Sequence, residues 1–113
     1  MKKRIYIDTS VYGGYFDKEF SADTIPFFEY IIRKNITVLV SDIIEFEIYK
    51  APEFVSNFYE SIPIALIEKL EITDEVINLA DKYISEKVVG ATSRADCQHI
   101  ALATINNATV LAS

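Results

Sequence analysis

The sequence predicts an α/β protein with a parallel central sheet, and three observations predict it. Strand-like and helix-like segments alternate along the chain without repeats, low-complexity tracts or a linker, which is the order of βαβ units. The run Ile36-Thr37-Val38-Leu39-Val40 is a continuous stretch of β-branched and apolar residues, as expected for a strand covered on both faces. Asp8 closes the short apolar run Ile5-Tyr6-Ile7 and opens a turn of small hydroxyl residues, Thr9-Ser10. That is where α/β proteins gather ligands, beyond the carboxyl ends of parallel strands. The 113 residues, 50% of them apolar, suffice for one domain over residues 1–113 with a genuine core.

The elements follow in order. Arg4 to Asp8 is the first strand, and Gly13-Gly14 begins a loop among aromatic residues. Ile25, Phe28, Ile31 and Ile32 recur at helical spacing from Thr24 to Arg33, with Thr24 as N-cap, Pro26 in the first turn and Asn35 after the end. Ile36 to Val40 is the second strand. Ser41 and Asp42 start a helix that runs to about Lys50 and stops before Pro52, because a proline disfavours the helical conformation in the residue preceding it. Glu53 to Glu60 forms a further short helix, and Leu66 to Ile72 a third strand. Thr73 caps a helix whose first turn holds Asp74 and Glu75. Gly90 interrupts and Ser93 caps again. Arg94 to Asn106 is a helix so apolar after Ile100 that it must be buried, and Thr109 to Ala112 closes the chain as a strand.

Composition excludes several classes. With 17 acidic against 11 basic residues, a net charge of −6, the chain lacks the basic stripe of a duplex-DNA binder. Acidity is compatible with a metal-dependent nuclease, whose cations offset part of the repulsion of phosphate. Lys2, Lys3, Arg4, Lys50 and Arg94 are available as phosphate contacts, although a solvated surface is the first expectation for most of them. The single cysteine, Cys97, leaves no intramolecular disulfide and no cysteine-based zinc site, which implies a reducing, cytoplasmic setting. It is expected to act as a small buried hydrophobe. No apolar run is long enough for a signal peptide or a membrane span.

Glu47 and Asp96 fall, like Asp8, at strand-to-helix junctions, so the fold can gather three carboxylates, a donor set suited to a hard divalent cation. Each also has a local reading. Asp8 can serve the turn it begins. Asp42-x-x-Glu45 matches a capping box, which gives Glu45 a structural role and leaves Glu47, two residues on and on another face, as the site candidate. Ser93-x-x-Asp96 is likewise a capping-box pattern, but an acidic residue at the start of a buried helix needs a positive or hydrogen-bonding partner. His99 lies one turn further on and can join Asp96, with a core or supporting role as its first expectation. Tyr6, Tyr12, Tyr15, Phe16 and Phe20 collect near the same region, suited to stack bases or to bury an interface, with core packing the commoner fate of any one of them.

Three segments in this order, Ile5-Tyr6-Ile7-Asp8-Thr9-Ser10-Val11, Val40-Ser41-Asp42-Ile43-Ile44-Glu45-Phe46-Glu47 and Asp96-Cys97-Gln98-His99-Ile100-Ala101-Leu102-Ala103, resemble the successive signatures of the PIN-domain family. The nearest likeness is to the small prokaryotic VapC-like endoribonucleases of toxin–antitoxin pairs. The resemblance covers nearly the whole chain. It implies a three-layer α/β/α sandwich and an acidic pocket in which Asp8, Glu47 and Asp96 bind Mg²⁺ or Mn²⁺ for cleavage of RNA. Thr9 or Ser10 would orient Asp8 or a metal-bound water. It further implies an antitoxin partner and a homodimer.

The family pattern continues past its last strand into a segment with a further Asn or Asp, whereas this sequence ends at Ser113. A fourth ligand is therefore expected to be missing. The alternative reading that follows is a PIN-like binding or interaction module impaired in catalysis. A phosphoryl-transfer protein with Asp8 as nucleophile is disfavoured, because Ser10 stands where such strand-end motifs carry a second Asp.

Overall fold

The computed structural model describes residues 3–86 and 94–112. Four strands, β1 (Arg4–Ile7), β2 (Thr37–Ser41), β3 (Ile67–Leu70) and β4 (Val110–Ala112), form one parallel sheet in the order β3-β2-β1-β4. The central strands are the apolar ones. Ile5, Tyr6 and Ile7 on β1 and Val38, Leu39 and Val40 on β2 are all buried, while the edge strand β3 exposes Glu68 and Lys69.

Among the described residues, six α-helices connect the strands: α1 (Thr9–Gly14), α2 (Ser21–Arg33), α3 (Asp42–Lys50), α4 (Glu53–Ser61), α5 (Asp74–Ser85) and α6 (Arg94–Ile105). The chain steps from β1 to β2 to β3 toward one edge, then crosses back to β4 at the other. Right-handed crossovers therefore put α1 to α4 on one face and α5 with α6 on the opposite face. The contacts agree: α1 packs on α2, α3 and α4, whereas α5 packs along α6. The result is the three-layer α/β/α sandwich of PIN-like proteins. Its winding reverses between β1 and β4, the place where open α/β sheets leave a crevice at their carboxyl edge.

Two helices hand the chain to strands by the same device. Asn35 and Asn107 adopt positive φ, 52° and 55°. After α2 the Ile36 amide donates to the Ile31 carbonyl and the Asn35 amide to Ile32; after α6 Ala108 donates to Ala103 and Asn107 to Thr104. These are paired Schellman closures, which favour glycine and tolerate asparagine at the left-handed position. Asn35→Gly is expected to leave stability unchanged or raise it slightly, and Asn35→Val to lower it by about 1–2 kcal/mol in urea unfolding.

Several boundaries differ from the sequence reading. The residues at Gly13-Gly14 are helical because Asp8 caps α1 and Tyr12 anchors it in the core. Gly14 also lies against α2: a Cβ there would meet Thr24 Oγ1 at 3.1 Å. Helix α2 begins at Ser21 rather than at a Thr24 cap, because the Asp17 turn feeds it, with the Ser21 amide donating to the Asp17 carbonyl. Pro26 consequently sits inside the helix, beyond the first turn. Ser41, not Asp42, caps α3, its Oγ accepting from the Ile44 amide, so the expected Asp42–Glu45 capping box is replaced. Both carboxylates turn instead to Lys69 on β3, at 2.7 and 2.8 Å. Thr73 caps α5 as expected. The expected break at Gly90 and cap at Ser93 lie outside the described residues.

Candidate metal centre

The pleat decides which side chains can meet. Register pairs Tyr6 with Leu39, so Tyr6, Leu39 and Ser41 share the sheet face toward α6, and Ile5, Ile7, Val38 and Val40 take the other. Asp8 follows β1 directly. Its amide donates to the Ala112 carbonyl at 2.9 Å, tying the carboxyl ends of β1 and β4 together at the reversal point. Its carboxylate accepts the Thr9 amide at 2.7 Å through Oδ1 and faces the Ser10 hydroxyl at 3.4 Å through Oδ2.

Glu47 arrives from α3 and His99 from α6, so the two helical layers meet over the sheet edge. Ile44 and Ile48 bury the core side of α3, which leaves Glu47 beside them at the rim, 38% exposed at its side chain. His99 is 3% exposed. Its Nε2 lies 2.9 Å from Glu47 Oε1 and 3.7 Å from Asp8 Oδ1, and donor atoms of Asp8, Glu47 and His99 all fall within 4.8 Å of one another. The Nδ1 side is held by the Tyr6 hydroxyl at 2.7 Å, which in turn meets Ser41 Oγ at 2.9 Å. Burial pushes the Tyr6 phenol well above its ordinary range, so it stays protonated. The α3 cap, the central strand and the imidazole are thus one buried polar chain.

Of the three expected carboxylates, the structure brings Asp8 and Glu47 together. Asp96 lies exposed in the first turn of α6, outside that close group but three residues before His99 and so on its face of the helix. Glu45 turns away to Lys69 and the Tyr59 hydroxyl, in keeping with its structural reading. Among the basic candidates, Arg4 is engaged at the amino end of the sheet, bonding Glu68 and the Asn106 carbonyl, and Arg94 pairs with Asp81. Cys97 is buried. His99 was the residue that sequence reasoning undervalued. The signal for it was the three-residue step from Asp96, but its partners Tyr6 and Glu47 lie 93 and 52 residues away.

The donor set fits a divalent cation. Oxygen and nitrogen ligands around such an ion at about 2.1 Å stand about 3.0 Å apart when adjacent and about 4.2 Å when opposite, and the separations of His99 Nε2 from Glu47 and Asp8, 2.9 and 3.7 Å, are of that size. Beside the group, Ser10, Val11, Gly14, Phe20, Leu111 and Ala112 line a largely apolar groove of about 630 Å³ between β4 and α2. Tyr12 lies deeper, packed on Phe28 and Tyr59, and among the described residues its hydroxyl has no partner. Tyr12→Phe is therefore expected to be neutral or to stabilise the fold by up to about 1 kcal/mol in denaturant unfolding.

No family model matches the sequence, and neither does any curated protein. Solved structures do share the fold. The sarcin-ricin loop cleaving toxin VapC20 of Mycobacterium tuberculosis superposes with a TM-score of 0.72 at 10% identity, over 95% of this chain and 86% of that one. VapBC2 of Rickettsia felis, bound to a DNA fragment from the promoter, gives 0.68 at 15% identity, over 95% and 85%. FitAcB of Neisseria gonorrhoeae gives 0.65 at 17%, over 94% and 84%. No helix of the described residues is long and apolar enough to cross a membrane.

Proposed function

We propose that this chain is a PIN-type endoribonuclease that hydrolyses RNA phosphodiester bonds at a Mg²⁺- or Mn²⁺-binding acidic centre, acting as the toxin of a toxin–antitoxin pair. The observation that carries the reading is the meeting of Asp8 and Glu47 at the reversal point of the sheet, in a fold shared with an RNA-cleaving toxin. In a chain of net charge −6, carboxylates at a cleft need a cation before phosphate can approach.

Asp8 and Glu47 would hold the cation, and Asp96, on the rim one turn before His99, would add a third carboxylate toward the substrate side. When bound, the ion supplies Lewis-acid activation of the phosphate and a water of lowered pKa. The Thr9 amide and Ser10 hydroxyl keep the Asp8 carboxylate aimed, each bonding a different oxygen. No nucleophilic side chain is required. The groove beside Ser10 is suited to an unpaired base, its walls being largely apolar with Phe20 and Phe27 among them and Asp23 and Thr24 as polar groups.

An antitoxin chain, a homodimer and a cytoplasmic setting belong to the same reading; the VapBC2 and FitAcB likenesses support the antitoxin, and the exposed aromatic residues Phe16, Phe20, Tyr49 and Phe54 are available to a protein partner. Those same aromatics favour the second reading, an interaction module without catalysis. Cleavage of a labelled structured RNA with Mg²⁺ or Mn²⁺, against a chelated control and against Asp96→Asn, tests the choice. Metal-dependent cutting, reduced at least about 10-fold in Asp96→Asn, is expected. A folded chain that does not cut with either ion leaves the interaction module as the better reading.

A further inference from the structure

The inference rests on the reading that Asp8 and Glu47 hold a divalent cation. We propose that His99 is a further ligand of that cation through Nε2, which makes the centre a mixed carboxylate and imidazole site that prefers Mn²⁺ and the later transition ions to Mg²⁺.

Position is the first ground. Nε2 stands 2.9 Å from Glu47 Oε1 and 3.7 Å from Asp8 Oδ1, so it already occupies a donor's place relative to both carboxylates. The ring is buried.

Support from behind is the second. Histidines that bind metals are held through their other ring nitrogen, which fixes the ring plane and the tautomer. Here the Tyr6 hydroxyl meets Nδ1 at 2.7 Å and is itself met by Ser41 Oγ at 2.9 Å, with Tyr6 and Ser41 both 0% exposed. The Tyr6 ring also packs against the imidazole at 5.6 Å between centroids. The imidazole therefore cannot swing away from the carboxylates without breaking a buried chain.

Reversibility of that chain is the third. Without an ion, a ring with its proton on Nε2 would donate to Glu47, while Nδ1 would accept from Tyr6. With an ion on Nε2, the ring proton would sit on Nδ1 and donate to the Tyr6 oxygen, whose own hydroxyl would donate to Ser41. Each arrangement satisfies both ring nitrogens, so neither leaves one of them buried and unpaired. Imidazole in the donor set shifts preference from Mg²⁺, which takes oxygen ligands, toward ions higher in the divalent series.

His99 is the only histidine in the 113 residues, so its nitrogen signals assign themselves. The full chain, prepared without a histidine tag, is titrated at constant neutral pH with Zn²⁺ under NMR of the imidazole nitrogens and with Mn²⁺ under pulsed EPR. Expected are a move of the ring proton from Nε2 to Nδ1 and a nitrogen coupling to bound Mn²⁺. His99→Gln should weaken Mn²⁺ binding about 10- to 100-fold, and Mg²⁺ binding by less than about 3-fold. Mn²⁺ that binds, is lost in Asp8→Asn, and shows no nitrogen coupling would overturn the role of His99 while leaving the carboxylate centre intact. Failure of any ion to bind would overturn the carboxylate centre and this inference together. If His99→Gln does not fold, the wild-type spectra decide alone.

Discussion

Replacing Asp8 with Asn is expected to reduce metal-dependent RNA cleavage by at least about 100-fold while leaving the fold intact, a loss of about 3 kcal/mol of transition-state stabilisation. The two halves of that expectation come from different atoms. Oδ1 accepts the Thr9 amide at 2.7 Å and so caps α1, and an asparagine oxygen can do the same. What asparagine cannot supply is the charge that, with Glu47, attracts a cation. Removing it also relieves repulsion between two neighbouring carboxylates, so melting in the presence of chelator should be unchanged or slightly raised. Cleavage rate and chelated melting curve, measured on the same preparation, check both halves. A variant that cuts like wild type would mean that this cluster is not the reaction centre.

Ser41→Ala should cost about 2–4 kcal/mol of folding stability, more than its size suggests. The hydroxyl does two jobs from a fully buried position. It caps α3 by accepting the Ile44 amide at 3.3 Å, worth about 1 kcal/mol, and it meets the Tyr6 hydroxyl at 2.9 Å. Losing the second contact leaves the buried phenol oxygen with the His99 imidazole as its one remaining partner among the described residues, at about 1–3 kcal/mol. Thr73→Ala is the comparison for a cap alone, since the exposed Thr73 caps α5 by accepting the Val76 amide at 3.3 Å. It should cost about 1 kcal/mol. The difference between the two in denaturant unfolding reads the Tyr6 contact together with the burial of the Ser41 cap. Equal losses would show that the phenol finds another partner and that Ser41, Tyr6 and His99 do not act as a unit. Because α3 also carries Glu47, Ser41→Ala is further expected to weaken cation binding.

Much of the fold was legible because its signals are local. The continuous apolar runs at 5–7 and 36–40 read as strands, the second as one covered on both faces, and both supply the buried centre of the sheet. Thr73 and the stop before Pro52 were readable as chain chemistry. The start of α2 was not, because Thr24 and Pro26 together imitate an N-terminus, and the turn at Asp17 that begins the helix carries no hydrophobic period. The α3 cap was misplaced for a related reason. Ser41 and Asp42 are both good caps, and the choice went to the residue whose oxygen Tyr6 also needed, a contact 35 residues away in sequence.

By itself the sequence determined the alternation of strands and helices, the place of Asp8 at a strand end, and the preference for Glu47 over Glu45. Each follows from spacing along one element: period two in a strand, three to four in a helix, and the short reach of a cap. Only the tertiary structure decided which groups share the centre. Asp8, Glu47 and His99 come from three elements on both sides of the sheet, and they meet because right-handed crossovers reverse the winding between β1 and β4. The same packing presses the Tyr6 hydroxyl against Nδ1 of the imidazole and turns its other nitrogen toward the carboxylates. No pattern along the chain encodes the direction of a buried ring. That direction is set by which neighbours leave it a hydrogen bond.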